Sequence, residues 1–297
     1  MRVFTTGASG WIGSHTVDEL LAAGHQVLGL ARSDASAAAL EAKGAEVLRG
    51  DLDDLDSLRE GAESTEGTIH LANKHDFTDQ AASNAAERAA VQTIADALAG
   101  TDRPFLLAGG VAGLVSGRPV TEADRNPFTG PDSPRGGAEN LALEYADRGV
   151  RVLVARFAPT VHGTGDHGFV STLVAAARAA GVARYAGDGT NRWAAVHVSD
   201  AARLVRLAVE GAPGGTVLHA VAEEGVPTRE IATAVGAGTG LPTASTSPDE
   251  LAAAMGWIGA FFAMDLAASS VRTRELLGWN PTGPTLAEDL AAGGYFA

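Results

Sequence analysis

The chain contains no cysteine. Disulfides, thiolate metal sites and a cysteine nucleophile are excluded together. Lysine and tyrosine are nearly as scarce: Lys43 and Lys74 are the only lysines, and Tyr145, Tyr185 and Tyr295 the only tyrosines. Positive charge is short overall, with 22 Lys and Arg against 36 Asp and Glu and a net charge of −14. A general nucleic-acid binder needs a basic surface to neutralise phosphates, and an anionic membrane repels an acidic one. Neither is expected as a partner. No apolar run is long enough to span a bilayer. The greasiest stretch, 255–264, reads as a buried or lid helix or an interface patch. A strand pattern begins at residue 2 and leaves no room for a secretory leader, so a cytoplasmic protein is expected. There is no Gly-x-Ser-x-Gly elbow, which disfavours a serine hydrolase. The His-Asp pairs lack metal-ligand spacing, and no metal is expected.

What is present is a regular alternation. Apolar content is 45% in 297 residues, enough for a large core. Strand patterns at 3–6, 26–31, 46–48, 68–71, 104–108 and 150–155 alternate with helical ones at 35–43, 54–61, 78–99 and 134–148. That pattern predicts an α/β fold, a doubly wound parallel sheet of Rossmann type with helices on both faces. The second half is less regular. Helices are expected over 169–180, 199–210, 228–236, 248–255 and 269–277, and a strand over 216–220. Residues 1–160 are read as a dinucleotide-binding core, with 194–220 returning to it. Residues 161–193 and 221–297 are read as a smaller substrate-binding lobe.

The segment from Val3 to Ser33 carries the strongest signal. An apolar strand runs into Gly7-Ala8-Ser9-Gly10-Trp11-Ile12-Gly13, a helix follows, and a second strand ends at Ala31-Arg32-Ser33. Gly7 permits a tight turn, Gly10 lets backbone approach a pyrophosphate, and Gly13 lets the helix pack close to the sheet. The helix N-terminus offers free N–H groups and a positive dipole end. Gly7, Ser9, Gly10, Trp11, Ile12 and Gly13 are therefore expected to hold a dinucleotide. A site for the unphosphorylated cofactor usually has an acid at the end of the second strand. Arg32 and Ser33 stand there instead, which suits a 2′-phosphate and selects NADP(H). Asp34, the one nearby acid, is read as the cap of the next helix.

These residues resemble the extended or atypical branch of the short-chain dehydrogenase/reductase family, the NAD-dependent epimerase/dehydratase-like group. The resemblance rests on Thr6-Gly7-Ala8-Ser9-Gly10-Trp11-Ile12-Gly13, Gly50-Asp51-Leu52, His70-Leu71-Ala72 and Arg156-Phe157-Ala158-Pro159-Thr160-Val161-His162-Gly163. It implies that Asp51 accepts from the adenine amine and that Leu52 flanks the ring. It further implies that Leu71, Ala72 and Asn73 line the ribose and nicotinamide path. Pro159, Val161 and His162 would lie near the carboxamide. A homodimer is the family's habit.

The departure concerns catalysis. The family's proton donor is a tyrosine four residues before a lysine, and a serine or threonine polarises the substrate oxygen. Here no tyrosine stands four residues before a lysine. In Ser133-Pro134-Arg135-Gly136-Gly137-Ala138-Glu139, Arg135 takes the tyrosine's place and Glu139 the lysine's. Residues 105–115 contain no Ser, Thr or Tyr. Positioned acid–base groups typically contribute about 10²–10⁴-fold, so another donor or a slow enzyme is expected. Lys74 and His75 follow the fourth strand and are candidates, as is His162; the plainer reading of each is an exposed or hydrogen-bonded loop residue. Arg135 is a candidate for binding a substrate oxygen or carboxylate; its plainer reading is an i,i+4 ion pair with Glu139 in a helix capped by Ser133. In the lobe, Arg192, Trp193 and His167 are candidate substrate contacts, with Trp193 as a flat apolar wall. His197 is read as structural.

The expected function is NADP(H)-dependent reduction of a carbonyl or imine of a small molecule, with the proton from His75, Lys74, His162 or water. Two rivals share the same residues. One is a non-catalytic NADP(H)-binding redox sensor. The other is a nucleotide-sugar epimerase or dehydratase, for which the missing tyrosine base is a handicap.

Overall fold

The computed structural model describes residues 1–74 and 79–296. The first strand, β1 (Arg2–Thr6), leads into helix α1 (Trp11–Ala22). There follow β2 (Gln26–Ala31), α2 (Asp34–Lys43), β3 (Glu46–Arg49), α3 (Leu55–Glu63), β4 (Gly67–His70), α4 (Gln80–Leu98) and β5 (Pro104–Gly110). After a long loop come α5 (Ala138–Glu144), β6 (Arg151–Phe157), β7 (Thr160–His162), α6 (Phe169–Ala180), β8 (Ala183–Ala186), β9 (Arg192–His197) and α7 (Val198–Gly211). The remainder is β10 (Thr216–Ala220), β11 (Glu223–Pro227), α8 (Thr228–Thr239), β12 (Thr243–Thr246), α9 (Pro248–Met255), α10 (Trp257–Phe262), α11 (Val271–Leu277) and α12 (Leu286–Ala291).

Seven strands form one parallel sheet in the order β10-β6-β5-β4-β1-β2-β3. The chain starts in the middle, winds outward to β3, then returns to β4 beside β1. That reversal opens a crevice at the carboxyl ends of β1 and β4, where ligands of such sheets lie. Because both faces are covered, the strands read as nearly unbroken apolar runs: Val3, Phe4, Ile69, Phe105, Leu106, Val152 and Leu153 are fully buried. Val17 and Leu20 of α1 and Leu204 and Val205 of α7 cover one face. Leu58 of α3, Val91 and Ile94 of α4 and Leu141 of α5 cover the other.

The lobe holds a three-stranded sheet, β11-β9-β7, and a parallel pair, β12-β8. Strand β9 separates two cores by simple alternation. Trp193 and Ala195 point into the lobe, while Ala194 and Val196 point into the main core. The returning segment reaches the main sheet only at β10, by way of α7, which packs on α1. Helix α11, expected in the lobe, packs instead on α7 and β10, and Trp279 after it is buried in the main core. The helix expected over 134–148 is broken. Residues 134–137 make a 3-10 turn in which Arg135, Gly136 and Gly137 are left-handed, and only Ala138–Glu144 is α-helical. No helix among the described residues is long and apolar enough to cross a membrane.

Candidate active site

The glycine turn is built for close approach. Gly7 has φ +66°, and a Cβ there would sit 2.6 Å from the Ala72 nitrogen at the end of β4. A Cβ on Gly13 would lie 2.0 Å from the Gly7 carbonyl oxygen, so helix α1 can enter the turn only as glycine. No side chain caps α1, and its first turn holds no acid. Its N-terminal N–H groups and dipole are therefore left available to an anion. Trp11 Nε1 donates to the Val161 carbonyl at 2.7 Å, tying the turn to the Pro159–His162 segment. A dinucleotide fits this cradle.

At the end of β2, Ser33 caps α2 with a reciprocal bond to Ser36; Asp34, expected as the cap, is the first helical residue and pairs with Arg49. Arg49 Nη1 also donates to the Ser33 carbonyl at 2.7 Å. Two guanidinium-bearing residues, Arg32 and Arg49, thus flank this loop. Asp51 Oδ1 accepts from the Asp53 and Asp54 nitrogens, which fixes the loop after β3, and Leu52 is buried behind it.

Arg135 does not pair with Glu139. Its Nη2 bonds Glu87 Oε1 of α4 at 2.5 Å, and its backbone nitrogen donates to Asn84 Oδ1 at 2.9 Å. Arg88 Nη1 donates to the Gly136 carbonyl at 2.7 Å. One turn of α4 therefore grips the whole left-handed segment. A left-handed arginine costs about 1–3 kcal/mol, and these three bonds hold it. The guanidinium stays 36% exposed while Glu87 is buried. Glu87 also accepts from Asn73 Nδ2 at 3.1 Å. His70 Nε2 stands 3.8 Å from Glu87 Oε2, and its Nδ1 bonds Thr6 Oγ1 at 2.8 Å. Burial pushes the Glu87 carboxyl up, but Arg135 and His70 outweigh it and hold the group at about 2. The carboxylate is thus ionised at any ordinary pH.

A stability signature follows. The folded carboxyl titrates below its ordinary 4.5, so its contribution is complete above that pH and disappears as pH falls toward 2. The wild type's advantage over Glu87→Gln is expected to be about 3 kcal/mol larger at pH 6 than at pH 2. Paired denaturant titrations at the two values check it; a pH-independent difference contradicts it.

Glu139, in the lysine's place, points elsewhere. It receives Arg156 Nη2 at 2.5 Å and Nε at 3.2 Å, with both residues buried, and Asn126 Nδ2 at 3.0 Å. Arg156 Nη1 donates to the Asp124 carbonyl at 2.9 Å. This pair locks the loop after β5 onto the sheet.

The other candidates separate. Lys74 Nζ bonds both oxygens of Asp53, at 2.7 and 2.8 Å. His75 lies outside the described residues. His162 is fully buried, its Nδ1 2.9 Å from Asp289 Oδ2 and its Nε2 4.0 Å from Glu223 Oε2. Burial lowers its pKa against the pull of Asp289, and the residue moors α12 rather than meeting solvent. His167 is exposed and sets its ring against Trp11, centroids 6.1 Å apart. Arg192 is engaged by Asp265 at 2.9 Å. Trp193, expected as a pocket wall, is fully buried: strand alternation turns it into the lobe core against Phe261 and Phe262. His197 caps α7, accepting from the Ser199 nitrogen at 3.3 Å.

Glu87 is the residue missed in the sequence. A signal existed: Glu87, Val91, Ile94 and Leu98 fall on one helical stripe, and all are buried. A carboxylate on that stripe requires a buried partner.

Comparisons with known proteins agree with this fold. Residues 3–220 match the model of the NAD dependent epimerase/dehydratase family. An uncharacterized Schizosaccharomyces pombe protein is 43% identical over the full length of both chains. The 4-hydroxy-2-methyl-3-oxo-4-farnesyl-3,4-dihydroquinoline-1-oxide ketoreductase of Stigmatella aurantiaca is 28% identical, covering 73% of this chain and 67% of that one. The solved structure of MoeE5 with UDP-glucose and NAD superposes with a TM-score of 0.74 at 27% identity, covering 100% of this chain and 98% of that one. With a parallel sheet reversing at a glycine turn and a matching family model over most of its length, the chain belongs to the NAD-dependent epimerase/dehydratase family of extended short-chain dehydrogenase/reductase proteins.

Proposed function

We propose that the protein is an NADP(H)-dependent oxidoreductase that reduces a carbonyl or imine of a small organic molecule, using Arg135 in place of the family's tyrosine. The observation that carries this reading is the partly exposed side chain of Arg135, its guanidinium fixed by buried Glu87 beside His70 at the carboxyl end of β4. A fixed cation beside a dinucleotide site is an electrostatic stabiliser for a developing alkoxide or amide anion. It needs no reorganisation during the reaction, because Glu87, Asn84 and Arg88 already hold the turn. Guanidinium does not release its proton near neutral pH. Arg135 therefore binds and polarises the substrate oxygen or nitrogen, and the proton arrives from water or a neighbouring acid. Bound in the glycine cradle, the reduced cofactor supplies a hydride to the carbonyl or imine carbon. The Stigmatella relative is named for a ketone reduction, which supports the same direction.

The reading for NADP(H) rests on the end of β2. Arg32 is exposed there, and the one nearby acid, Asp34, is matched by Arg49. NADPH is expected to bind about tenfold more tightly than NADH, about 1.4 kcal/mol. Arg32→Ala is expected to erase most of that preference. Parallel titrations of both variants with both cofactors check this, and equal affinities in the wild type overturn the assignment. Consumption of NADPH with a panel of ketones, aldehydes and imines tests the activity itself.

One observation favours a second reading. MoeE5 holds UDP-glucose and NAD, and a nucleotide-sugar epimerase or dehydratase shares its fold. Such reactions need a base where Arg135 stands, and a guanidinium, already protonated near neutral pH, cannot take up a proton. NAD retained through purification, with no net cofactor consumption, is the result that would promote it.

A further inference from the structure

We propose that the substrate is a flat, apolar, ring-bearing carbonyl or imine compound whose body packs on an aromatic face of the lobe made by Phe169, Trp257 and Phe261. The proposal rests on the oxidoreductase reading above and gives that site its substrate class. The chain is poor in aromatics, with 4 Trp, 3 Tyr and 9 Phe. Even so, the Phe169 ring lies 5.6 Å from that of Trp257, 5.2 Å from Phe261 and 6.0 Å from Trp193. Trp193 and Phe262 form the buried floor, 4.9 Å apart. Phe169 and Phe261 are half-buried above it, and Trp257 is 47% exposed. Edge-to-face neighbours of this kind fix ring orientations and present a rigid apolar surface.

The position of this face joins it to the site. Ala112, just beyond β5, packs against the buried lobe core on which Phe169 and Phe261 also pack. It lies within the stretch where the family's polarising hydroxyl was expected, so apolar surface reaches the carboxyl end of the sheet. From the other side, Phe169 follows His167, whose ring abuts Trp11 of the glycine turn. The lobe core beneath this face is therefore bordered by Ala112 at the end of β5, and Phe169 stands two residues from the His167 that meets the glycine turn.

Its charge pattern completes the argument. Residues 251–264 contain no ionisable side chain. A nucleotide sugar brings a diphosphate that needs cations or free N–H groups, and the uncharged segment 251–264, in a protein of net charge −14, offers it little. A fused-ring ketone gains burial and ring stacking on the same surface.

The test titrates 2-acetylnaphthalene and, separately, UDP-glucose into the full chain saturated with the oxidised form of its preferred dinucleotide, by equilibrium dialysis. The ketone is expected to bind at least tenfold more tightly than UDP-glucose. Trp257→Ala is expected to weaken ketone binding at least tenfold, and Trp257→Phe to restore most of it, with dinucleotide affinity unchanged in both. UDP-glucose binding as tightly as the ketone, no ketone binding, or ketone binding indifferent to Trp257→Ala each overturns the proposal. The outcomes also separate the two readings. Ketone binding without any NADPH consumption keeps the aromatic site and removes the oxidoreductase. NADPH consumption with a small polar carbonyl, but no naphthyl ketone binding, does the reverse.

Discussion

Arg135→Met is expected to lower kcat by about 10²–10³-fold, the usual cost of deleting one donor aimed at a developing oxyanion. NADPH affinity should stay within about twofold of the wild type, because the guanidinium is held by α4 and makes no bond to the glycine turn. The loss should fall on kcat more than on KM, as for an interaction that strengthens only as charge develops. Arg135→Lys should recover part of the rate, since a point charge survives while the fixed fork is lost. Glu87→Gln should give an intermediate defect: the cation remains but its anchor weakens. Steady-state kinetics of the three variants, alongside their melting temperatures, check this. Unchanged kcat in Arg135→Met contradicts the role assigned to it.

The second large effect concerns stability. Glu139 and Arg156 are both buried and joined by one bond of 2.5 Å and two longer ones, with Asn126, the Asp124 carbonyl and His219 as further partners. Removing one partner leaves an uncompensated buried charge, which costs about 3–5 kcal/mol. Glu139→Leu and Arg156→Met should each destabilise the fold by that amount. The double variant Glu139→Leu/Arg156→Met should be more stable than either single one, because the stranded charge is gone. Denaturant titrations of the four proteins check the pattern, and additive losses in the double variant contradict it.

Much of this was legible in the sequence, and the reason is local. The glycine turn and the strand–helix alternation are encoded in short windows where steric demand and apolar period decide the outcome. The broken helix near Arg135 was not legible. Ser133-Pro134 and the spacing from Arg135 to Glu139 satisfy the local rules for a helix start and an i,i+4 pair, but bonds from Asn84 and Arg88, about fifty residues earlier, pull the turn left-handed. Local propensity loses there to a contact that only the tertiary fold creates. Trp193 illustrates the same limit. Its residue type suits a pocket wall, yet alternation along β9 buries it, and the exposed aromatic surface falls to its neighbours Phe261 and Trp257. Strands β7, β8, β9, β11 and β12 were not legible because they fall outside the regular strand–helix alternation that marked the short β3 and β4. Glu87 sits between these cases: its stripe marks it as buried, but its partner lies on another element.

The most direct test of the account follows the label from NADPH deuterated at C4 during incubation with a fused-ring ketone, in the wild type and in Arg135→Met. The account predicts deuterium on the carbinol carbon of a released alcohol, one NADP⁺ formed per alcohol, and the flux cut by about 10²–10³-fold in the variant. Retained oxidised cofactor, no label in any alcohol, and inversion of a nucleotide sugar without net cofactor consumption would contradict it and place the protein with the epimerases instead.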